Sequence, residues 1–266
     1  MRTATTGGFD MYDAFFFDCD GVITNKRAQV DSQVIFEAYR HAHSGRKIAF
    51  VTGRSLDWFS KNLIPAIERF NPTPEEKRRF FFIGEYGNRW LSFSGGTLAH
   101  GSDDSLAVPE KVRTAVRNEM HRFPYLSFDE TKESFISIEV RHERLVSPQA
   151  EREAQRQIDE ARGAFAAKFP QLVAIRTLYA VDVMGKGVGK AAATRRALEL
   201  MGSVSQALVI GDSEIDLEMG EELRRKGIEF DFYYVGEGQI PRPSFPVKKA
   251  PGLYAEGTLE VLRGVR

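Results

Sequence analysis

Residues 14–17, AFFF, are continuously apolar and stop at Asp18, with Asp20 close behind in the stretch FFFDCDG. A short unbroken apolar run fits a strand buried on both faces of a parallel sheet, because a half-solvated strand would alternate. Two carboxylates crowded at the end of such a strand disfavour each other's ionised form unless a positive charge compensates. The stretch therefore requires a helix-covered sheet, a polar rim at its strand ends, and a cation.

The flanking sequence supplies the rest of that sheet. DSQVIFEAYRHAHSG sets Val34, Ile35, Ala38, Tyr39 and Ala42 at helical spacing, with Asp31 as N-cap and Gly45 as C-cap. A strand KIAFVT (47–52) follows, then a helix around LDWFSKNL that Pro65 interrupts or kinks, then a strand RFFFIG (79–84). Such alternation builds parallel βαβ units. It resumes near residue 185 with a helix KAAATRRALELMG, a strand ALVIGD (207–212), a helix EIDLEMGEELRRKG and a strand DFYYVG (231–236). LYAEGTLEVLRGV reads as a short strand and a closing helix.

The middle of the chain has a different character. NRWLSFSGG reads as a short strand or hairpin, 109–122 as a helix, and SFISIEV (134–140) as a strand on its β-branched content. SPQAEREAQRQIDEARGAFAAKF is a long helix with a solvated charged face and a thin stripe of Ala150, Ala154, Ile158, Ala161 and Phe165. LVAIRTLYAVDVM is strand material. The expected architecture is α/β: a doubly wound parallel-sheet (Rossmann-like) core over 11–87 and 185–266, with an inserted α/β domain over 88–184. The first ten residues read as a leader, with Met11 as an alternative start.

Composition narrows the partners. Thirty-seven basic residues balance thirty-seven acidic ones, so no broad field attracts nucleic acid or an anionic membrane. No stretch approaches the roughly 20 apolar residues of a membrane span. Cys19 is the only cysteine, which excludes an internal disulfide and points to the reducing cytoplasm. The aspartates on either side of it raise its pKa and oppose a reactive thiolate. Oligomeric state is not legible.

Three strands of the outer segments end in residues of catalytic type: Asp18 with Asp20, Thr52, and Asp212 with Asp216 in GDSEID. Ligands of open parallel sheets bind beyond the carboxyl ends of the strands. Four carboxylates converging there stay ionised only around a cation, and an all-oxygen set suits Mg²⁺. Thr52, Gly53 and Arg54 offer a hydroxyl, open backbone and a helix start for an anion. Lys190, at another helix start, offers a mobile positive charge, with Lys186 as its competitor. The set reads as phosphoryl transfer to Asp18, with Asp20 protonating the leaving oxygen and then activating water.

In order along the chain, DCDGVIT, VTGR, Lys190 and GDSEID resemble the four motifs of the haloacid dehalogenase-like phosphohydrolases. The resemblance implies Asp18 as nucleophile and Asp20 as acid/base, the latter binding Mg²⁺ through its backbone carbonyl. It also implies Lys190 as the third-motif lysine and Asp212 and Asp216 as the fourth-motif acids. The long insertion is similar to the α/β cap of the sugar-phosphatase branch, which includes trehalose-6-phosphate phosphatases, sucrose-phosphate phosphatases and phosphomannomutases. IGEYGN resembles the AEHG-type turn of the first of these, and Lys132 and Arg141 in KESFISIEVR resemble its K…H-x-R pattern. Glu139 stands where that pattern has histidine, and Asp182 where the relatives carry a sugar-contacting glutamate. Ile215 departs from the polar residue of the family's fourth motif. Arg54, Lys132, Glu139, Arg141 and Asp182 are thus the candidate substrate contacts.

The expected activity is Mg²⁺-dependent hydrolysis of a phosphomonoester, a sugar phosphate similar to trehalose-6-phosphate. A phosphosugar mutase and a non-catalytic module on the same scaffold are the alternatives. GKGVGKA is not a nucleotide loop, because Met184 and Ala191 break the G-x₄-GK-[ST] pattern.

Overall fold

A four-residue strand, β1 (Ala14–Phe17), has no exposed side chain and is followed by the helix α1 (Ser32–His43). The Asp31 carboxylate caps α1 by accepting from the Gln33 and Val34 amides at 2.8 and 3.2 Å. Next come β2 (Lys47–Val51), the helical turn α2 (Leu56–Trp58), a π-helical turn Phe59–Leu63, α3 (Ile64–Glu68), α4 (Pro74–Lys77) and β3 (Phe80–Gly84). The π turn is the form the expected interruption takes. Pro65 has no amide proton for the helical ladder, and widening the preceding turn re-registers the helix around it. The computed structural model describes residues 12–25, 28–177, 179–240 and 243–265, so the leader and Met11 lie outside the described residues.

β4 (Arg89–Ser94) and β5 (Thr97–Ser102) form the hairpin expected from NRWLSFSGG, but in a different sheet. Sequence places them in the inserted segment, which was expected to begin at 88. They instead extend the main sheet, β4 running antiparallel to β3 with Leu91 opposite Phe82. The reason is burial, since Leu91 packs in the same apolar cluster as Phe82 and Phe50. The chain then builds α5 (Glu110–Glu119), β6 (Leu126–Phe128), β7 (Ile136–Val140), α6 (Pro148–Lys168), β8 (Leu172–Arg176) and β9 (Ala180–Gly185). Their four strands make a separate antiparallel sheet, ordered β6-β7-β9-β8, around Val116, Phe123, Ile136, Ile158 and Phe165.

The main sheet resumes with α7 (Lys190–Met201), β10 (Gln206–Gly211), α8 (Leu217–Arg225), β11 (Glu229–Tyr234), β12 (Val247–Lys249) and α9 (Tyr254–Gly264). The short strand expected in LYAEG lies earlier, at β12, where Val247 pairs with Phe232. The order is β12-β11-β10-β1-β2-β3-β4-β5, parallel from β12 to β3. Phe15 and Phe17 face the cluster of α1 and α9, while Ala14 and Phe16 face that of α7 and α8. Burial on both faces is why AFFF does not alternate. From β1 the chain steps out through β2 and β3, and from β10 the opposite way, so β1 and β10 flank the crevice where such sheets bind ligands. No helix among the described residues is long and apolar enough to cross a membrane.

One buried carboxylate ties the two sheets together. Glu85, 1% exposed at the end of β3, accepts from the Glu133 amide at 3.0 Å and the Ser134 amide at 2.6 Å. The Ser134 hydroxyl donates to it as well, at 2.7 Å. Removing the carboxylate leaves the buried Ser134 amide and hydroxyl without this acceptor, so Glu85→Ala is expected to cost about 2–4 kcal/mol in urea unfolding. A loss below about 0.5 kcal/mol, the scale of ordinary surface changes, would contradict this role.

Candidate active site

Each candidate core residue sits where a strand of the parallel sheet gives out. Asp18 follows β1, Thr52 follows β2 and Asp212 follows β10, while Lys190 opens α7. Glu218 of α8 accepts from the Ala191 amide at 3.2 Å, which helps start α7 at this point. The Lys190 ammonium lies 2.5 Å from Asp18 Oδ1, 2.8 Å from the Val51 carbonyl and 2.9 Å from Asp216 Oδ1. Lys186, its competitor in sequence, is exposed. The other Asp216 oxygen accepts from the Asp212 and Ser213 amides, each at 3.1 Å, and from the Ser213 hydroxyl at 2.7 Å. Asp216 therefore shapes the loop that presents Asp212.

One carboxylate oxygen from each of Asp18, Asp212 and Asp216 lies within 4.8 Å of the others. Gly21 makes this possible. A Cβ there would lie 2.2 Å from Asp212 Oδ2, and its φ of +71° is one that side chains rarely adopt.

Asp20 departs from the expected four-carboxylate cluster. Its side chain turns to Arg54, which donates from Nε at 2.9 Å and from a terminal nitrogen at 2.6 Å. The planar guanidinium matches a carboxylate edge to edge, and it also lies 5.0 Å from the Trp58 ring centroid.

Among the described residues, four carboxylates thus face two cations, Lys190 and Arg54, two fewer positive charges than negative ones. Burial, outweighing the attraction of Lys190 and aided by Asp216, Asp20 and Asp212, pushes Asp18 well above the usual carboxylate range. Burial and then Asp216 push Asp212 up to about 7. Lys190 goes up despite burial, because Asp18 and Asp216 hold its proton. A hard divalent cation beside the oxygen cluster would neutralise the excess and keep both aspartates ionised, so the donor set fits Mg²⁺. Cys19 is buried, and burial followed by Asp18 and Asp20 raises its thiol well above the ordinary value, which agrees with an inert cysteine.

The second sheet brings further candidates over this rim. Lys132, 8% exposed, donates to the Gly53 carbonyl at 3.0 Å. Asp182 on β9 accepts from the Ser137 hydroxyl at 2.6 Å and lies 3.5 Å from the Tyr86 hydroxyl. Glu139 is exposed on β7. Arg141 is engaged within its own sheet, donating to the Leu126 carbonyl at 2.9 Å. Glu85, Tyr86 and Ser137 were not singled out by sequence, which marked only the turn containing the first two.

A family model of haloacid dehalogenase-like hydrolases matches residues 12–224, well over half of the chain. The chain belongs to that family. It is a hydrolase, and solved structures of low identity share its fold. A haloacid dehalogenase-like hydrolase from Bacteroides thetaiotaomicron is 14% identical with a TM-score of 0.69, the match covering 96% of this chain and 100% of that one. The C-terminal domain of trehalose-6-phosphate phosphatase from C. albicans is 16% identical at 0.63, covering 95% and 91%. N-terminally truncated, IMP-bound IMP-nucleotidase from Plasmodium falciparum is 12% identical at 0.61, covering 95% and 68%. No curated protein sequence matches significantly.

Asp182 generates a pH-dependent stability. Burial pushes its carboxyl up to about 6 against the opposing Ser137 hydrogen bond. The folded state therefore binds this proton more tightly than the unfolded chain, so the group favours folding at low pH and stops doing so as pH rises through about 6. Asp182→Asn lacks that loss, and between about pH 5 and pH 8 it should gain about 1–2 kcal/mol on wild type in urea unfolding. A constant difference across that window would rule the shift out.

Proposed function

We propose that this hydrolase is a Mg²⁺-dependent phosphomonoesterase acting on a sugar phosphate through an aspartyl-phosphate on Asp18. The observation that carries the reading is the Lys190 ammonium seated between Asp18 and Asp216, beside a cluster of three carboxylate oxygens. The family match and the fold shared with a trehalose-6-phosphate phosphatase and an IMP-nucleotidase support it.

Asp18, Asp212 and Asp216 would hold Mg²⁺, with the Asp20 backbone carbonyl as the further oxygen the resemblance assigns. The ion supplies charge neutralisation for the attacking carboxylate and the phosphoryl oxygens. Lys190 and Thr52 position the phosphoryl group. An Asp18 oxygen forms a bond to phosphorus as the ester P–O bond breaks, and Asp20 gives its proton to the departing oxygen. Asp20 then takes a proton from water, the water oxygen bonds to phosphorus, and the bond to Asp18 breaks to release phosphate. To do this the Asp20 carboxyl exchanges its contacts with Arg54 for the leaving oxygen. The second sheet serves as the cap, with Lys132, Glu139 and Asp182 facing the leaving group and Arg54 at its edge.

Asp18→Asn should lower phosphate release from a panel of sugar phosphates by about 1,000-fold or more while leaving the fold intact. The fold survives because Lys190 keeps Asp216 and the Val51 carbonyl as partners. Retained turnover would remove Asp18 from the mechanism. Phosphate release at the rate of substrate loss also separates hydrolysis from transfer between sugar hydroxyls. In thermal unfolding, Mg²⁺ at 100 times its Kd should stabilise wild type by about 2.7 kcal/mol, and Asp212→Asn should lose that gain. Equal stabilisation of both proteins would place the ion elsewhere.

A further inference from the structure

Tyr86 stands at the junction of the two sheets and touches both. Its amide donates to the Thr52 carbonyl at 3.1 Å, and its side chain is only 8% exposed. A Cβ built on Gly53 would come within 2.6 Å of the ring's Cζ and 2.8 Å of its hydroxyl oxygen. Only glycine at 53 lets the phenol lie against the loop that follows Thr52. On the other side the hydroxyl lies 3.5 Å from Asp182, and the ring centroid lies 5.5 Å from that of Phe135. One phenol therefore spans the gap from the core loop to the second sheet, where a bound ester would extend its leaving group.

The ring is also anchored. Glu85 and Tyr86 both take left-handed backbone conformations, with φ of 45° and 55°. Such a pair of non-glycine residues costs free energy and persists only where the surroundings hold it. The hydrogen bonds from Glu133 and Ser134 to the Glu85 carboxylate provide that hold. Moving the Tyr86 ring aside means disturbing the turn that joins the two sheets. Beside it are three buried polar groups, the Lys132 ammonium donating to the Gly53 carbonyl and the Ser137 hydroxyl donating to the Asp182 carboxylate, all of types that can hydrogen-bond a substrate's hydroxyls.

We propose that Tyr86 sets the size of the leaving group, its ring limiting the site to phosphate esters of small polyhydroxy alcohols and shutting out disaccharide esters. This rests on the phosphomonoesterase reading above and names the class of substrate for that same site. Phe or Tyr at this position leaves little room, and a smaller residue opens a path between Gly53 and Asp182. The bulk of the ring sets the limit, while the hydroxyl only orients Asp182.

The test is kcat/KM for phosphate release from glycerol phosphate, a hexose phosphate and a disaccharide phosphate, with Mg²⁺, for wild type, Tyr86→Ala and Tyr86→Phe. Wild type should prefer the smaller two over the disaccharide ester by about tenfold or more, within what pocket contacts supply. Tyr86→Ala should raise the disaccharide-to-glycerol ratio by about tenfold or more, and Tyr86→Phe should leave that ratio as in wild type. A merely structural role would scale all three esters together in Tyr86→Ala, and that result overturns the proposal. Should Tyr86→Ala not fold by circular dichroism, the wild-type series decides, because a disaccharide ester turned over as well as the smaller two also overturns it. Phosphate release with a flat size profile sinks this inference alone. No phosphate from any ester sinks the phosphomonoesterase reading and this inference with it.

Discussion

The Lys190 ammonium is the contact on which the site depends. It joins the start of α7 to the ends of β1 and β2 and to the loop after β10, through Asp18, the Val51 carbonyl and Asp216. Bringing these groups out of water costs several kcal/mol per ion, and well-packed apolar residues would serve stability as well or better. The ion pair is better understood through what it positions. It holds the Asp18 carboxylate at a topological switch point of the sheet and keeps a positive charge beside it. Everything else in the core, from the stacked phenylalanines of β1, β2 and β3 to the Asp216-ordered loop, places those few atoms.

Much of this was legible in the sequence, for identifiable reasons. The unbroken apolar runs of β1, β2, β3 and β10 reflect burial on two faces, so both the parallel sheet and its polar rim could be read from them. Asp18, Thr52, Lys190 and Asp212 were legible because each follows a strand or opens a helix. NRWLSFSGG reads as a short strand or hairpin within the inserted segment, whereas the hairpin over 89–102 extends the main sheet. Local alternation says nothing about which edge a strand joins, and here the burial of Leu91 beside Phe82 decides. Asp20 was legible as a residue, but its partner was not. The carboxylate of a loop residue goes to whichever cation tertiary structure brings near, and that is Arg54. Glu85 was legible only as part of the IGEYGN turn and not in its role, since a buried carboxylate accepting backbone amides from residues 133 and 134 leaves no local pattern.

The two sheets are joined through polar contacts that all lie close to the rim. Glu85 takes amides from the second sheet, Lys132 reaches back to Gly53, and Arg89 pairs with Glu133 at 2.9 Å. Glu85 and Lys132 are buried, and such charges discriminate strongly between one arrangement and another, because a displaced partner leaves an unpaired group in a low-dielectric setting. The same turn that ties the sheets together carries Tyr86 into the space between them. Neighbouring residues of one short segment, Glu85 and Tyr86, thus make both contacts.

A crystal structure of the protein grown with Mg²⁺ and beryllium fluoride, a stand-in for a phosphoryl group, tests the account most directly. The account predicts beryllium bonded to an Asp18 carboxylate oxygen, Lys190 contacting a fluorine, and the metal bound by Asp18 and Asp212. Beryllium fluoride on another residue, or a metal bound away from Asp18 and Asp212, would contradict it.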